Sequence, residues 1–254
     1  MEWSDTALVL SVGRFRESDV WLRMLTRRHG IVSAFAFGGS RSRKRFCGCL
    51  DVFNELQINT KSTRNGMYLA LQEGTLLNGP RRLRSDWKRL GMFMNCVRFI
   101  EALGVPPDGG SSAFALLKDT LALLEQADDV QDVLPALFRL RLASDQGYAP
   151  ALNACSVCGT SVLDRVGFMV AEGVIVCPRC ATGRGVLVEM SGKSLDVLRR
   201  VQEESPLHWD FLGTSSPPEG QLLPAQRREC ARVVDGFVQY HLGLTWDKGR
   251  FRRV

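Results

Sequence analysis

The chain has 254 residues, of which 45% are hydrophobic and 24% are charged, and its formal net charge at pH 7 is +6. This composition is typical of a globular protein with a buried core, and it excludes a wholly disordered, collagen-like or coiled-coil chain. The sequence has no run of about 18 apolar residues that could span a membrane, and its acidic start, Met1–Asp5, does not resemble a signal peptide. We therefore expect a cytoplasmic protein of one or two domains without a membrane partner.

Five short β-strands are predicted in residues 6–77. Runs of apolar residues, or apolar residues alternating with polar ones, mark Thr6–Val12, Val20–Thr26, Ile31–Phe37, Val52–Asn59 and Met67–Glu73. The turn pair His29-Gly30 precedes the third strand, the turn-like Ser62–Gly66 precedes the fifth, and the glycine-rich, basic segment Gly38–Arg45 follows the third. This pattern predicts a small closed barrel in residues 1–80. The five-stranded OB-fold is the leading interpretation, and an SH3-like barrel is the alternative.

After residue 80, apolar residues recur every three or four positions, which is the spacing of one helix face. The predicted helical stripes are Leu90–Leu103, Phe114–Leu124, Val133–Leu140, Leu195–Val201 and Cys230–His241. Gly104 and Gly243 are predicted to end the first and last of these helices, and Ser191 can cap the fourth. We predict an α+β protein in which an N-terminal OB-fold barrel is followed by a helical domain at 81–254, with a cysteine module at 151–185 inserted into it.

Four of the eight cysteines form the pattern Cys155-x2-Cys158-x18-Cys177-x2-Cys180. This spacing is typical of a zinc site, because each Cys-x-x-Cys pair directs two sulfur atoms at one point. Four thiolates leave no open position on the metal, so we expect a structural Zn²⁺ ion; two redox dithiols or buried cysteines are the alternatives. The other cysteines, Cys47, Cys49, Cys96 and Cys230, are predicted to be small apolar residues or core residues.

The charged residues are unevenly distributed. Residues 1–80 carry a net charge of +4, residues 81–100 carry +5, residues 101–150 carry −5, and the tail Lys248–Val254 adds +4. This asymmetry predicts basic faces that bind the phosphates of nucleic acid. The candidate DNA contacts are Arg41, Arg43, Lys44, Arg45, Arg81, Arg82, Arg84, Lys88 and Arg89. Phe35, Phe37 and Phe46 flank the first cluster and could stack on bases, although a core position is the commoner role for such residues.

No catalytic pattern is present in the sequence. The three histidines fall in no metalloprotease or nucleophile motif, and no phosphate-binding loop occurs. We therefore predict a protein that is not an enzyme. One alternative is a zinc-ribbon scaffold or transcription-type regulator that binds a protein or a specific duplex site. Another is a metal-dependent nuclease, which would need a carboxylate or histidine cluster that the sequence does not offer.

Several motifs, taken in their order along the chain, resemble the bacterial RecO family of DNA repair and recombination mediators. The matching segments are Ala7–Leu10, Glu17–Asp19, Leu25–Gly30, Gly38–Arg43, Leu50–Phe53, Leu137–Leu140, Gly147–Gly159 and Tyr240–Gly243. They cover both ends and the middle of the chain. The resemblance implies an OB-fold, a helical domain and, in members with all four cysteines, a zinc site.

The resemblance also implies partners that composition and spacing do not indicate. They are single- and double-stranded DNA, RecR, the acidic C-terminal tail of single-stranded DNA-binding protein and, indirectly, RecA, which the family loads onto coated DNA. A bacterial cytoplasmic protein that associates with the nucleoid during repair is the corresponding expectation. Arg139 and Arg141 are candidates to bind the acidic tail, because they are the only arginines in the acidic stretch 101–150. Pairing with neighbouring acids is the alternative.

Overall fold

The computed structural model describes residues 2–63, 68–161, 164–183, 185, 187–213 and 220–254. Met67, where the fifth strand is predicted to begin, and most of the preceding turn, including Gly66, lie outside the described residues. The chain forms two compact units. The first comprises Met1–Ser85 with Gly104–Lys118, and the second comprises Asp86–Leu103 with Asp119–Val254. Within the described ranges, no helix is both long and apolar enough to cross a membrane.

The first unit contains a closed five-stranded barrel. Its strands are β1 (Glu2–Phe15), β2 (Asp19–Thr26), β3 (Gly30–Ala36), β4 (Glu55–Ser62) and β5 (Leu69–Asn78). They follow the order β1-β2-β3-β5-β4, in which β3 pairs with β5 in parallel and β1 pairs with both β2 and β4 in antiparallel fashion. This order is that of the OB-fold, so the predicted barrel is confirmed and the SH3-like alternative is wrong. Alternate strand residues fill its core, among them Val9, Leu22, Met24, Leu56 and Leu71.

Strand β4 begins three residues later than the alternation of apolar residues predicts. Asp51–Asn54 instead forms a turn, in which the Asn54 amide donates to the Asp51 carbonyl over 3.3 Å. Phe53 in that turn has a φ of +66°, a backbone conformation that cannot continue a strand. The turn is held because the Phe53 side chain is buried and because its amide donates to the Val9 carbonyl at 2.8 Å.

The predicted helical stripes correspond to five long helices. In chain order the helices are α1 (Arg82–Ser85), α2 (Trp87–Leu103), α3 (Gly110–Gln126), α4 (Leu134–Asp145), α5 (Pro178–Ala181), α6 (Gly192–Glu203) and α7 (Pro224–Leu242). Gly104 and Gly243 follow α2 and α7 with φ of +75° and +61°, the left-handed conformation that ends a helix. The Ser191 side chain caps α6 by accepting from the Ser194 amide.

Two further β-structures lie in the second unit. The strands β6 (Arg165–Met169), β7 (Val174–Val176) and β8 (Leu187–Ser191) form a sheet in the order β7-β6-β8, in which β6 and β7 make a hairpin. The strands β9 (Leu244–Asp247) and β10 (Arg250–Arg253) form a second hairpin at the end of the chain, which the sequence reading does not predict. We refer to residues 244–253 as the C-terminal hairpin.

Candidate metal centre and nucleic-acid interface

The four spaced cysteines meet at one point of the second unit. Cys155 and Cys158 lie in the turn before β6, where the Gly159 amide donates to the Cys155 carbonyl over 2.9 Å. Cys177 directly precedes α5, and Cys180 lies within its first turn. The four sulfur atoms lie within 4.8 Å of one another, and the Sγ atoms of Cys158 and Cys177 are 3.8 Å apart. Metal–sulfur bonds of about 2.3 Å in a tetrahedron separate the sulfurs by about 3.8 Å. The cluster therefore fits a single metal ion.

Backbone amides around the cluster favour ionised sulfur. Burial opposes ionisation of Cys155, but hydrogen bonds from the amides of Cys177, Cys158 and Val157 outweigh it and lower the pKa of the thiol to about 6. The Cys180 amide lowers the pKa of Cys177. The thiol of Cys180, hydrogen-bonded to Cys177, has its pKa raised to about 12. Four adjacent sulfurs cannot all ionise without a compensating cation, and a metal ion held by the four cysteines would supply that charge.

The remaining cysteines lie elsewhere. Cys96 and Cys230 are buried in the second unit, as predicted, and burial raises the pKa of the Cys230 thiol to about 12. Cys49 is buried in the barrel, where its thiol donates to the Gly74 carbonyl at 3.2 Å. Cys47 is exposed, so of the two predicted roles, small apolar residue or core residue, the core role is excluded for it. It sits at a φ of +37° in the connection that precedes β4.

The candidate contacts Arg41, Arg43, Lys44 and Arg45 are all exposed on the connection between β3 and β4. We call residues 38–45 the basic loop. Its ends are fixed, because Gly39 is buried at one end and Phe46 is only 1% exposed at the other. The Arg45 guanidinium donates to the Phe37 carbonyl at 2.5 Å and lies 5.0 Å from the centre of the Phe46 ring. Phe46 is therefore a core residue that anchors the loop, while the cations face solvent.

Aromatic side chains cluster on the outer surface of the barrel. Phe35 makes edge contacts with Phe15 and Tyr68, with ring centres 5.2 and 5.3 Å apart, and is stacked against Phe37 at 6.2 Å. Phe15, Phe37 and Tyr68 are 43%, 45% and 53% exposed. We call these four residues the aromatic patch. It borders the basic loop, since Phe37 directly precedes Gly38, and it lies on the face that OB-folds use for oligonucleotides.

Trp21 extends this face on β2. It is the register partner of both Gly13 on β1 and Phe35 on β3. Gly13 makes room for it, since a Cβ atom there would lie 2.1 Å from the indole nitrogen. The sequence reading missed Phe15, Tyr68 and Trp21. The alternation of side chains along a strand could have identified this face. Ala34 and Ala36 of β3 point into the core, so Phe35 between them must point outward.

The basic residues after the barrel have separate environments. Arg81 and Arg82 are exposed. Arg84 donates to the Val52 carbonyl at 2.7 Å and lies 3.3 Å from the Asp51 carboxylate, so it ties α1 to the turn before β4. Lys88 is half exposed and pairs with the Asp129 carboxylate at 2.9 Å.

Arg89 differs from the other candidate DNA contacts because it is buried. It is 4% exposed, and its Nε atom donates to the Asp86 carboxylate at 2.9 Å. Its two terminal nitrogens donate to the backbone carbonyls of Leu124 and Asp128. All of its donor groups face protein acceptors, so this side chain cannot reach a phosphate. We therefore correct the sequence reading and remove Arg89 from the candidate set.

Arg139 and Arg141, the candidates for binding an acidic tail, pair instead with acids of the same unit. Arg139 is 6% exposed; it donates to the Asn95 side chain at 3.0 Å and pairs with the Asp235 carboxylate. Arg141 pairs with the Asp145 carboxylate at 2.9 Å and donates to a backbone carbonyl. The Arg139 side chain is buried, that of Arg141 is half-buried, and both are already paired with an acid.

Comparisons with known proteins cover nearly the whole chain. The family models described as recombination protein O N terminal and C terminal match residues 1–80 and 84–250. A protein from Nitratidesulfovibrio vulgaris named DNA repair protein RecO is 53% identical over 259 residues, with both chains fully covered. Proteins of the same name from Lawsonia intracellularis and Myxococcus xanthus are 44% and 31% identical. The first comparison covers both chains fully, and the second covers 95% of this chain and 93% of the relative.

Proposed function

The chain belongs to the RecO family of DNA repair proteins, and on that premise we propose that it is a non-enzymatic mediator. It binds single- and double-stranded DNA, anneals complementary strands and helps to load RecA onto DNA coated by single-stranded DNA-binding protein. Such a protein works in the bacterial cytoplasm and joins the nucleoid during repair.

The observation that carries this proposal is the aromatic patch beside the basic loop. Exposed aromatic rings can stack on unpaired bases, each stack contributing about 1–3 kcal/mol without preference for sequence. The cations of the loop, including Arg43 and Lys44, contact phosphates and release counterions. Stacking needs bases that are not paired, so the patch favours single strands, whereas the cations also serve duplex DNA.

Annealing requires the mutual repulsion of two phosphate backbones to be reduced while the bases stay accessible. The exposed cations Arg41, Arg43, Lys44 and Arg45 reduce that repulsion on the barrel. Further positive charge follows β5, at Arg81, Arg82, Arg84 and Lys88. The charges of Arg84 and Lys88 are partly neutralised by their ion pairs with Asp51 and Asp129. No bond is made or broken in this process, so no catalytic group is needed.

The cysteine cluster is proposed to hold one structural Zn²⁺ ion. Cys155, Cys158, Cys177 and Cys180 supply four thiolates, the donor set that zinc prefers in closed structural sites. With an ion bound, these four cysteines would link the turn before β6 to α5, and the small sheet lies between those two segments. Four protein ligands leave no place for substrate, which agrees with a structural role.

The remaining partners are RecR and the acidic C-terminal tail of single-stranded DNA-binding protein. Tail contact at Arg139 and Arg141 would require their ion pairs with Asp235 and Asp145 to break. We therefore propose the tail as a partner without assigning it to these two arginines.

The decisive experiment is strand annealing of complementary oligonucleotides coated with single-stranded DNA-binding protein, with and without the last residues of that protein. We expect annealing that depends on the tail. Annealing of bare strands alone would keep the DNA-binding function and remove the partner. No annealing by the metal-loaded, folded protein would refute the mediator, and resistance of its DNA complex to competing random DNA would indicate a site-specific regulator instead.

The aromatic patch is tested by the Phe37→Ala/Tyr68→Ala variant. Loss of one to two stacked bases predicts about a 10- to 100-fold weaker complex with single-stranded DNA and little change for duplex DNA. Tyr240→Ala is the matched control, because Tyr240 is 61% exposed on the other unit. Equal losses for single-stranded and duplex DNA would contradict base stacking at the patch.

A further inference from the structure

The C-terminal hairpin is a basic element of the second unit, separate from the barrel. Four cations occur in its last six residues, Lys248, Arg250, Arg252 and Arg253, and all four are exposed. Such a run at the end of a chain is ordinarily a disordered tail, because like charges repel and few apolar groups are available to bury. Here it is a paired two-stranded element, so its order must come from specific contacts.

Those contacts are made by the apolar face of the hairpin. Phe251 of β10 lies edge-on to the buried Phe99 of α2 at 5.1 Å and to Trp246 of β9 at 4.9 Å. The Arg139 guanidinium lies 5.7 Å from the centre of the Phe251 ring. Arg98 of α2 also donates to the Gly249 carbonyl at the tip of the hairpin.

Backbone geometry completes the element. Lys248 and Gly249 have φ of +45° and +82°, as a two-residue hairpin turn requires. The Val254 amide donates to the Gly243 carbonyl over 2.9 Å, which fixes the end of the chain. Because side chains alternate along β10, Phe251 packs on the protein while Arg250 and Arg252 point away from it. Arg250 and Arg252 are therefore held in place on an outward face, whereas Arg253 shares the side of Phe251 and is exposed at the end of β10.

Most of this charge is not neutralised within the protein. Arg252 pairs with the Asp247 carboxylate at 3.1 Å. Lys248, Arg250 and Arg253 have no ion-pair partner among the residues that the structure describes. Holding three unpaired cations within one short hairpin costs free energy through self-repulsion, and a bound polyanion would recover that cost.

We propose that the C-terminal hairpin is a second nucleic-acid contact, which grips the phosphate backbone through Lys248, Arg250 and Arg253. This inference rests on the proposed DNA-binding function and adds a site that is separate from the barrel. Trp246 favours nucleic acid over an acidic protein, because it is 42% exposed on the same hairpin and its ring can stack on a base.

The test uses the full chain and a variant with Lys248→Ala, Arg250→Ala and Arg253→Ala, which keeps Phe251, Trp246 and the pair between Arg252 and Asp247. Binding of a labelled oligothymidylate is measured at several salt concentrations. Loss of three phosphate contacts makes the slope of log K against log salt shallower by about 2, and lowers affinity by about 10- to 100-fold near 0.1 M salt.

A second triple variant controls for net charge. Arg165, Arg228 and Arg232 are exposed on the same unit and have no ion pair within the described ranges. Changing all three to alanine removes the same charge, and we expect the salt slope to stay within about 0.5 of the wild-type value. An equal loss in both triple variants would overturn the hairpin site, since net charge alone would then explain the effect.

Two further outcomes separate this inference from the proposed function. An unchanged slope in the hairpin variant, while alanines in the basic loop still lower it, overturns the hairpin site and leaves the DNA-binding function intact. Absence of DNA binding by the wild-type protein overturns both. Binding of polyglutamate that depends on the hairpin, without any change toward DNA, would instead identify an acidic protein as its ligand. Trp246→Phe supports the site if it removes the quenching of tryptophan fluorescence by the oligonucleotide.

Discussion

The buried guanidinium of Arg89 offers a direct test of whether this cation serves the fold or DNA. In the Arg89→Leu variant the side chain stays large and apolar, so packing within α2 is largely retained. The backbone carbonyls of Leu124 and Asp128 lose their donors, and the Asp86 carboxylate loses its partner. Leu124 is fully buried, so water cannot replace the missing donor at that position.

The magnitude follows from these contacts. An orphaned buried carbonyl costs about 1–3 kcal/mol, and truncation of a buried charged group reaches about 3–5 kcal/mol. Asp86 is exposed enough to be hydrated again. We therefore count about 1–3 kcal/mol for the buried Leu124 carbonyl and about 1 kcal/mol for the carbonyl of the exposed Asp128, and expect a loss of about 2–4 kcal/mol. For a chain of this size that corresponds to about 5–15 °C in the thermal midpoint.

The assay is thermal unfolding of the metal-loaded protein, with Lys88→Leu as the control on the neighbouring residue. Lys88 is half exposed, so its ion pair with Asp129 contributes at most about 1 kcal/mol and the midpoint should fall by no more than about 4 °C. DNA affinity is then measured far below both midpoints. A stable Arg89→Leu variant that binds DNA poorly would refute the structural role and restore Arg89 as a DNA contact.

Three further results are expected. Cys158→Ser should release the metal at a chelator concentration that the wild type withstands, and wild-type metal affinity should fall with falling pH because all four ligands must lose protons; equal retention, measured by metal content after dialysis, would contradict a four-sulfur site. Although burial opposes it, hydrogen bonds from Ser194 and Ser191 lower the pKa of Glu229 below its usual 4.5. Its stabilising effect is therefore present above that pH and lost as the pH falls through the folded-state pKa, so urea unfolding of Glu229→Gln should differ from wild type at neutral pH and converge with it in acid. Lys118→Met leaves the Glu55 carboxylate, 6% exposed, without its partner at 2.7 Å; we expect a loss of about 1–2 kcal/mol in chemical unfolding, which a second change of Glu55→Gln partly restores.

The barrel was predictable from the sequence because its signal is local. Each strand alternates core and surface residues, which predicts a small closed barrel. The strand order that separates the OB-fold from an SH3-like barrel came from the structure. The start of β4 was not predictable, because the turn at Asp51–Asn54 depends on Phe53 finding a place beside Val9, which is distant in the sequence. Strand ends are decided by such tertiary contacts rather than by propensity.

The cysteine cluster was predictable for a related reason, since the spacing of the two Cys-x-x-Cys pairs reflects the geometry of one metal ion. The C-terminal hairpin was not predictable from periodicity. Its strands have four residues each, which is too short to show an alternating pattern. Phe251 stands among cations in the sequence, and the ring that it packs against, Phe99, lies far from it along the chain. The turn pair Lys248-Gly249 after Asp247 was the signal available, since a glycine in a two-residue connection marks a tight hairpin turn.

Counting charges could not separate the cations that bind from the cations that hold the fold. Arg89 and Arg139 belong to the same basic composition as Arg43, yet both are almost completely buried. A guanidinium has five N–H donors and can bind several carbonyls and carboxylates inside a protein. An arginine on a helix can therefore make interior contacts that the sequence does not reveal. Exposure, rather than charge, therefore defines the candidate DNA contacts.

The basic loop and the C-terminal hairpin share one design, in which a packed phenylalanine holds exposed cations in place. Such preorganisation reduces the conformational entropy that the side chains lose when DNA binds. Phe251→Ala should therefore weaken DNA binding without removing any charge. Freed cations still release counterions, so affinity should fall by a similar factor at every salt concentration while the salt slope stays unchanged, in contrast to the variant that lacks the hairpin cations. The comparison uses the same oligothymidylate titrations, with thermal unfolding as the check that the second unit remains folded. If Phe251→Ala bound as tightly as wild type, a flexible basic tail would serve equally well, and the ordered conformation of the hairpin would contribute nothing to binding.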